Sequence, residues 1–151
     1  MNFNFFNPTR ILFGAGQLNN LHKQQLPGKK ALLLISNGKS TKANGSFDRT
    51  VEQLEKAGVK YAVFAKIMEN PYKEVIMEGA AFARDNGCDF IVALGGGAVL
   101  DASTAIAAMA TNPGDLWDYV SGGTGKGLPL QYPGLPVVTI ATTSGTGSEV
   151  N

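Results

Sequence analysis

The stretch Phe90-Ile91-Val92-Ala93-Leu94-Gly95-Gly96-Gly97-Ala98-Val99-Leu100-Asp101 decides the fold, because a short apolar strand runs into three glycines and then directly into a helix. Glycine lets the backbone approach another group closely. A helix start aims unpaired N–H groups and the positive end of its dipole at the same point. That layout is a cradle for phosphate, and a nucleotide pyrophosphate suits it. The spacing is neither G-x-G-x-x-G nor G-x-x-x-x-G-K-[ST], so the competing reading is a tight turn in which glycine merely permits close packing.

Working outward, Ala31-Leu32-Leu33-Leu34-Ile35 is a continuous apolar run of the kind found in a parallel strand buried on both faces. Phe47, Val51 and Leu54 then recur at helical spacing, with Gly58 as the glycine that closes the helix. Tyr61 to Phe64 is the next strand. Val75, Ile76, Gly79, Ala80 and Ala83 form one face of a helix that ends at Asn86-Gly87. The helix from Ala98 to about Ala110 is apolar almost all round and is predicted to lie in the middle of the domain. Gly114 to Pro136 reads as an ordered loop region anchored by Trp117 and Tyr119, and Pro136 to Ile140 as a fourth strand.

Upstream, Phe3 to Phe6 and Arg10 to Phe13 are aromatic and β-branched pieces around Asn7-Pro8-Thr9, which predicts an N-terminal β-hairpin. Gln17 to Gln25 reads as a short helix stopped by Pro27-Gly28. Strands alternating with helices, joined by right-handed crossovers, give an α/β fold with a doubly wound, Rossmann-like parallel sheet.

The 151 residues suit one domain, with 44% apolar and 17% charged content and a net charge of +1. Basic residues are dispersed, so nucleic acid is not an expected partner. No apolar run reaches the roughly 20 residues of a membrane span. The one cysteine, Cys88, cannot form an intrachain disulfide, and the N-terminus lacks a secretion pattern, so the expected compartment is cytoplasmic. His22 stands alone in a polar segment and reads as a surface residue, not a metal ligand.

In open α/β sheets ligands sit beyond the carboxyl ends of the strands. Three loops fall there: Asn37-Gly38-Lys39-Ser40, Gly95-Gly96-Gly97-Ala98, and Thr142-Thr143-Ser144-Gly145-Thr146-Gly147-Ser148. Lys39 and Ser40 suit the 2′-phosphate of an NADP ribose, since an NAD-preferring site places a carboxylate near this strand end and none is present; a solvated loop lysine is the rival reading. Asp101, read as lying in the first helical turn, either complements the dipole by about 0.3–1 kcal/mol or faces the substrate end of the crevice.

Together these motifs resemble the amino-terminal domain of the iron-containing (group III) alcohol dehydrogenase family, nearest its butanol dehydrogenase and NADPH-dependent aldehyde reductase branch. The resemblance rests on Phe6-Asn7-Pro8-Thr9-Arg10-Ile11-Leu12-Phe13-Gly14-Ala15-Gly16, Asn44-Gly45, Asn70-Pro71, Gly95-Gly96-Gly97 with Asp101, Trp117, and Thr142 to Glu149. It implies that residues 1–151 are the dinucleotide-binding half of a truncated chain, without the family's all-helical C-terminal domain. It implies NADP or NAD as cofactor and a small alcohol or aldehyde as substrate. Fe²⁺ or Zn²⁺ would be held by the absent half, with no metal ligand in this chain, and the full-length enzyme is expected to be a homo-oligomer.

Carried over by position, Gly95, Gly96, Gly97 and Ala98 would meet the pyrophosphate and Asn70 the adenosine side. Thr142, Thr143 and Thr146 would meet the nucleotide, Gly38, Lys39 and Ser40 would choose between NAD and NADP, and Asp101 would lie near the nicotinamide or substrate. No catalytic residue is otherwise expected here. Where the family commonly has serine and lysine this chain has Ala98 and Thr104, which removes a donor and a charge. A lost hydrogen bond to a charged group costs about 1.5–3 kcal/mol. A stand-alone nucleotide-binding or regulatory module without catalysis is the rival to this reading.

Overall fold

The computed structural model describes residues 3, 7–145 and 147–150. Four strands, β1 (Lys30–Ser36), β2 (Lys60–Ile67), β3 (Phe90–Gly95) and β4 (Val137–Ala141), form one parallel sheet in the order β2-β1-β3-β4. Helices α1 (Ser40–Ala43) and α2 (Ser46–Lys56) link β1 to β2, α3 (Lys73–Asp85) links β2 to β3, and α4 (Gly97–Thr111) with α5 (Leu116–Tyr119) leads to β4. The β1 crossover runs to one side and the β3 crossover to the other. The strand order therefore reverses between β1 and β3.

Side-chain alternation along the strands builds two cores. Leu32, Leu34, Ile91 and Ala93 meet Ile76, Ala80, Leu100, Ile106 and Met109 of α3 and α4. On the opposite face Ala31, Leu33, Ile35, Phe90, Val92 and Leu94 pack with Leu54 and Val59. This explains why β1 and β3 read as continuous apolar runs: each successive residue is claimed by one of two covered faces. β4 differs, since its residues 137–140 are only half-buried and it pairs with β3 alone among the described residues.

The helix ends follow their glycines. After α2, Gly58 adopts φ +69°, its N–H donates to Glu55 O at 3.0 Å, and the Val59 N–H donates to Leu54 O at 2.9 Å. That pair of bonds is the Schellman closure, which a residue without Cβ adopts at least cost.

Four expectations need correction. Residues 10–13 form no strand, and the other half of the hairpin, Asn4 to Phe6, lies outside the described residues. Phe13 is 94% exposed and Ile11 64%, so this segment has no described surface to bury against, and a lone two-stranded ribbon is marginal in water. The segment from Gln17 is a 3-10 helix ending at Lys23. His22 is half-buried, its Nδ1 lying 2.6 Å from Gln53 Oε1, so it holds the 3-10 helix against α2. Of the two loop anchors, Tyr119 packs on the α3–α4 core, whereas Trp117 stays 44% exposed with its Nε1 donating to Thr124 Oγ1 at 2.8 Å.

At the amino-terminal edge of the sheet Asp89 ties β3 to β1. Its carboxylate accepts the Lys29 N–H at 2.9 Å and the Lys30 N–H at 2.8 Å, and a Cβ on Gly28 would lie 2.3 Å from Asp89 Oδ1. Burial pushes the Asp89 carboxyl up, but the backbone N–H donors outweigh it, so its pKa lies below the ordinary 3.8. A carboxyl depressed on folding stabilises the protein above its unfolded pKa and stops doing so as pH falls through the native value. Asp89→Asn is thus expected to lower the melting temperature at neutral pH, with the gap to the parent closing once pH drops past 3.8. Thermal melts across that range check it, and a gap independent of pH would contradict it.

Candidate functional site

The crevice beyond the carboxyl ends of β1 and β3 is where the strand order reverses, the place where open α/β sheets receive ligands. Its floor is the turn from β3 into α4. Gly96 is extended at φ −84°, ψ −177°, and its carbonyl accepts the Val99 and Leu100 N–H groups at 2.9 and 3.2 Å. Among the described residues no side chain caps α4, and the Gly97 and Ala98 N–H groups at its start have no acceptor.

The three glycines have different reasons. A Cβ on Gly95 would sit 2.7 and 2.9 Å from Val99 Cγ2 and Cβ, so this glycine lets the helix fold back on its own strand. That is the packing reading, and it holds for Gly95. A Cβ on Gly96 would lie 3.2 Å from Thr143 Oγ1, and one on Gly97 3.3 Å from Ser148 Oγ. Hydroxyls of the loop after β4 therefore stand against the glycine turn, and the Thr142 N–H donates to Gly95 O at 3.0 Å. The Gly97 and Ala98 amides and two hydroxyls thus lie around one turn, an arrangement that can hold the oxygens of an anion.

Gly38, Lys39 and Ser40 follow β1 directly and are exposed, with Lys39 at the N-cap of α1. Asn70 stands after β2 and lines a cleft of about 340 Å³ with Asn37, Met68, Glu69 and Tyr72. The structure thus joins the Asn37 and Asn70 loops on one side and the glycine and threonine loops on the other. Ala98 is half-buried in the first turn of α4, and Thr146 lies outside the described residues.

Asp101 is exposed on α4, yet the helix begins at Gly97, one residue earlier than the sequence suggests. It therefore falls in the second turn, where the dipole contribution fades. Sequence reasoning missed Tyr72, and it named Asn37 and Ser148 within the crevice loops without giving either a role of its own. Ser148 is 7% exposed and packs against Gly97, and its one signal was its place at the end of the hydroxyl-rich run. A larger hollow of about 470 Å³, lined by Met77, Arg84, Met109 and Tyr132, sits at the far end of α3 and α4 and is not part of this crevice.

Among the described residues no three His, Cys, Asp or Glu side chains gather as metal ligands, and the chain has one histidine. The described residues do not fit a metal centre. They do fit a dinucleotide, since the glycine turn leaves a cradle that a Cβ would crowd.

The sheet order, the glycine turn and the uncapped helix define a doubly wound α/β domain with a crevice built from main-chain amides. Residues 8–151 match the model of the family described as Iron-containing alcohol dehydrogenase, and the chain belongs to that family. It is 37% identical over 149 residues to the 1,3-propanediol dehydrogenase of Klebsiella pneumoniae, covering 99% of this chain and 36% of that protein. It is 35% identical over 152 residues to the NADPH-dependent aldehyde reductase YqhD of Escherichia coli (strain K12), covering 99% and 38%.

The crystal structure of the NADH-dependent butanol dehydrogenase A of Thermotoga maritima superposes with a TM-score of 0.89 at 31% identity, covering 99% of this chain and 37% of that one. The chain thus spans between 36% and 38% of the length of these relatives. No helix among the described residues is long and apolar enough to cross a membrane.

Proposed function

We propose that this chain is the nucleotide-binding part of an NAD(P)-dependent, metal-assisted alcohol dehydrogenase or aldehyde reductase that interconverts small alcohols and aldehydes. The observation that carries the reading is the uncapped start of α4, faced by the Thr143 and Ser148 hydroxyls across Gly96 and Gly97. In this reading Gly95, Gly96, Gly97 and Ala98 meet the pyrophosphate with backbone N–H groups, and Thr142 and Thr143, with Thr146, support it. Asn70 meets the adenosine side and Asp101 the nicotinamide or substrate end.

Gly38, Lys39 and Ser40 stand where the adenine ribose would bind. Lys39 on the β1 loop, with Glu69 the carboxylate on the adjoining cleft, favours the 2′-phosphate of NADP over the free hydroxyl of NAD. When bound, the nicotinamide supplies or accepts the hydride; these residues only bind and orient it. Among the described residues there is no ligand set for a metal, so the chain alone is expected to turn over no aldehyde when Fe²⁺ or Zn²⁺ is added.

Titration of the chain with NADPH, read by energy transfer from Trp117, the single tryptophan, tests the proposal. Saturable binding is expected, tighter for NADPH than for NADH. Ala98→Ser is expected to tighten it about tenfold by restoring a hydroxyl donor beside a charged phosphate. Selective binding of ATP, or no change on Ala98→Ser, would overturn the reading in favour of a different nucleotide module.

A further inference from the structure

Three Asn-Gly pairs occur in the chain, Asn37-Gly38, Asn44-Gly45 and Asn86-Gly87, and the structure treats them differently. In the second, Asn44 Oδ1 accepts from the Ser46 N–H at 2.9 Å and the Ser46 hydroxyl at 2.7 Å, while the Gly45 N–H donates to Lys42 O at 3.2 Å. In the third, Asn86 Nδ2 donates to Phe82 O at 2.8 Å and the Gly87 N–H to Arg84 O at 2.9 Å. Both glycines are also held at positive φ, +74° and +61°.

The first pair has none of these restraints. Among the described residues the Asn37 carboxamide makes no hydrogen bond and the Gly38 N–H has no acceptor. Both residues are exposed, and Gly38 is not at positive φ. From this contrast we infer that Asn37-Gly38 is a site of spontaneous backbone-assisted deamidation, selected from three chemically equal pairs by its free amide and free carboxamide.

In the first step the Gly38 nitrogen attacks Asn37 Cγ, the bond from Cγ to the side-chain nitrogen breaks, and ammonia leaves with the proton that the Gly38 nitrogen gives up. Water then opens the cyclic imide at either carbonyl. The product is aspartate or isoaspartate at position 37, and its carboxylic proton passes to solvent. Nothing beyond water is consumed. Hydrogen bonds restrain the other two pairs because each must break before the same attack can occur.

The new carboxylate would stand at the end of β1, next to Gly38, two residues from Lys39 and on the wall of the Asn70 cleft. Its consequence rests on the nucleotide reading given above. A second negative charge on this cleft, added to that of Glu69, repels a ribose 2′-phosphate and suits a free ribose hydroxyl, so ageing shifts the crevice from NADP towards NAD.

The test is incubation of the whole folded chain at mildly alkaline pH, followed by tryptic peptide mass analysis. The three asparagines separate cleanly into peptides 31–39, 43–49 and 85–126. Peptide 31–39 is expected to gain acid at least about tenfold faster than the other two, and the three rates to converge in urea, where no hydrogen bond restrains any pair. Equal rates in the folded chain, or no conversion of peptide 31–39, would overturn the inference.

Gly38→Ala is expected to slow the reaction without disturbing the loop, since its Cβ would meet only Ser36 Oγ at 3.5 Å. Separately, Asn37→Asp is expected to lower the ratio of NADPH to NADH affinity about tenfold. An unchanged ratio would refute the consequence. Failure of the parent chain to bind either nucleotide would instead refute the nucleotide reading and leave the peptide rates to decide the deamidation.

Discussion

Gly95→Ala is expected to lower stability by about 1–3 kcal/mol and to weaken dinucleotide binding together with it, because the added methyl has nowhere to go. Its Cβ would lie 2.7 Å from Val99 Cγ2 and 2.9 Å from Val99 Cβ. The second of these atoms is fixed to the helix backbone, so relief requires α4 to move away from β3. The start of α4 would move with it, and that start is what the proposed pyrophosphate site is made of. Denaturant unfolding and NADPH titration of the same variant measure the two effects. A loss of stability with unchanged affinity would mean that the helix start does not hold the nucleotide. No loss of stability at all would mean that the turn is looser than its geometry implies.

Leu33→Ala should cost more, about 2–5 kcal/mol, since Leu33 is 0% exposed in the central strand and contacts the core formed with Val92, Leu94 and Leu54. The strand is flanked by β2 and β3, so collapse around the lost side chain would have to shift two backbone ladders at once. Domains are stable by about 5–15 kcal/mol in total, so this one change is expected to remove a large fraction of the stability. Circular dichroism melts check it. A shift no larger than that of a surface substitution would show that β1 is not the centre of the core.

Much of this architecture is legible in the sequence because burial on two faces leaves an unambiguous pattern. Residues 31–35 and 90–94 are apolar without interruption, and each proves to be a strand covered on both sides. The same logic places α4 in the middle, where Ile106 and Met109 are 0% and 1% exposed. It fails where apolar residues have no covering surface: Ile11 to Phe13 carry strand-forming side chains and no strand.

The candidate site was legible as a set of loops, since glycine and hydroxyl residues mark themselves. Which of its features packing would explain was not. That Gly95 serves the helix contact while Gly96 and Gly97 face hydroxyls depends on distances between segments about fifty residues apart, and no local pattern carries them. Asn37 was not singled out within its loop for a similar reason. Three identical dipeptides cannot be ranked until their hydrogen bonds are known.

The half-buried β4 has a consequence for how the chain behaves in a tube. Val137-Val138-Thr139-Ile140-Ala141 holds no charged side chain and no proline, and its outer row of amides and carbonyls is unpaired among the described residues. Natural edge strands are blunted by lysine, proline or bulges, and one left bare is a template for another strand. Crowding many copies together therefore invites edge-to-edge growth of the sheet into insoluble ribbons, and a lysine placed outward on this strand is the natural remedy for keeping the material in solution.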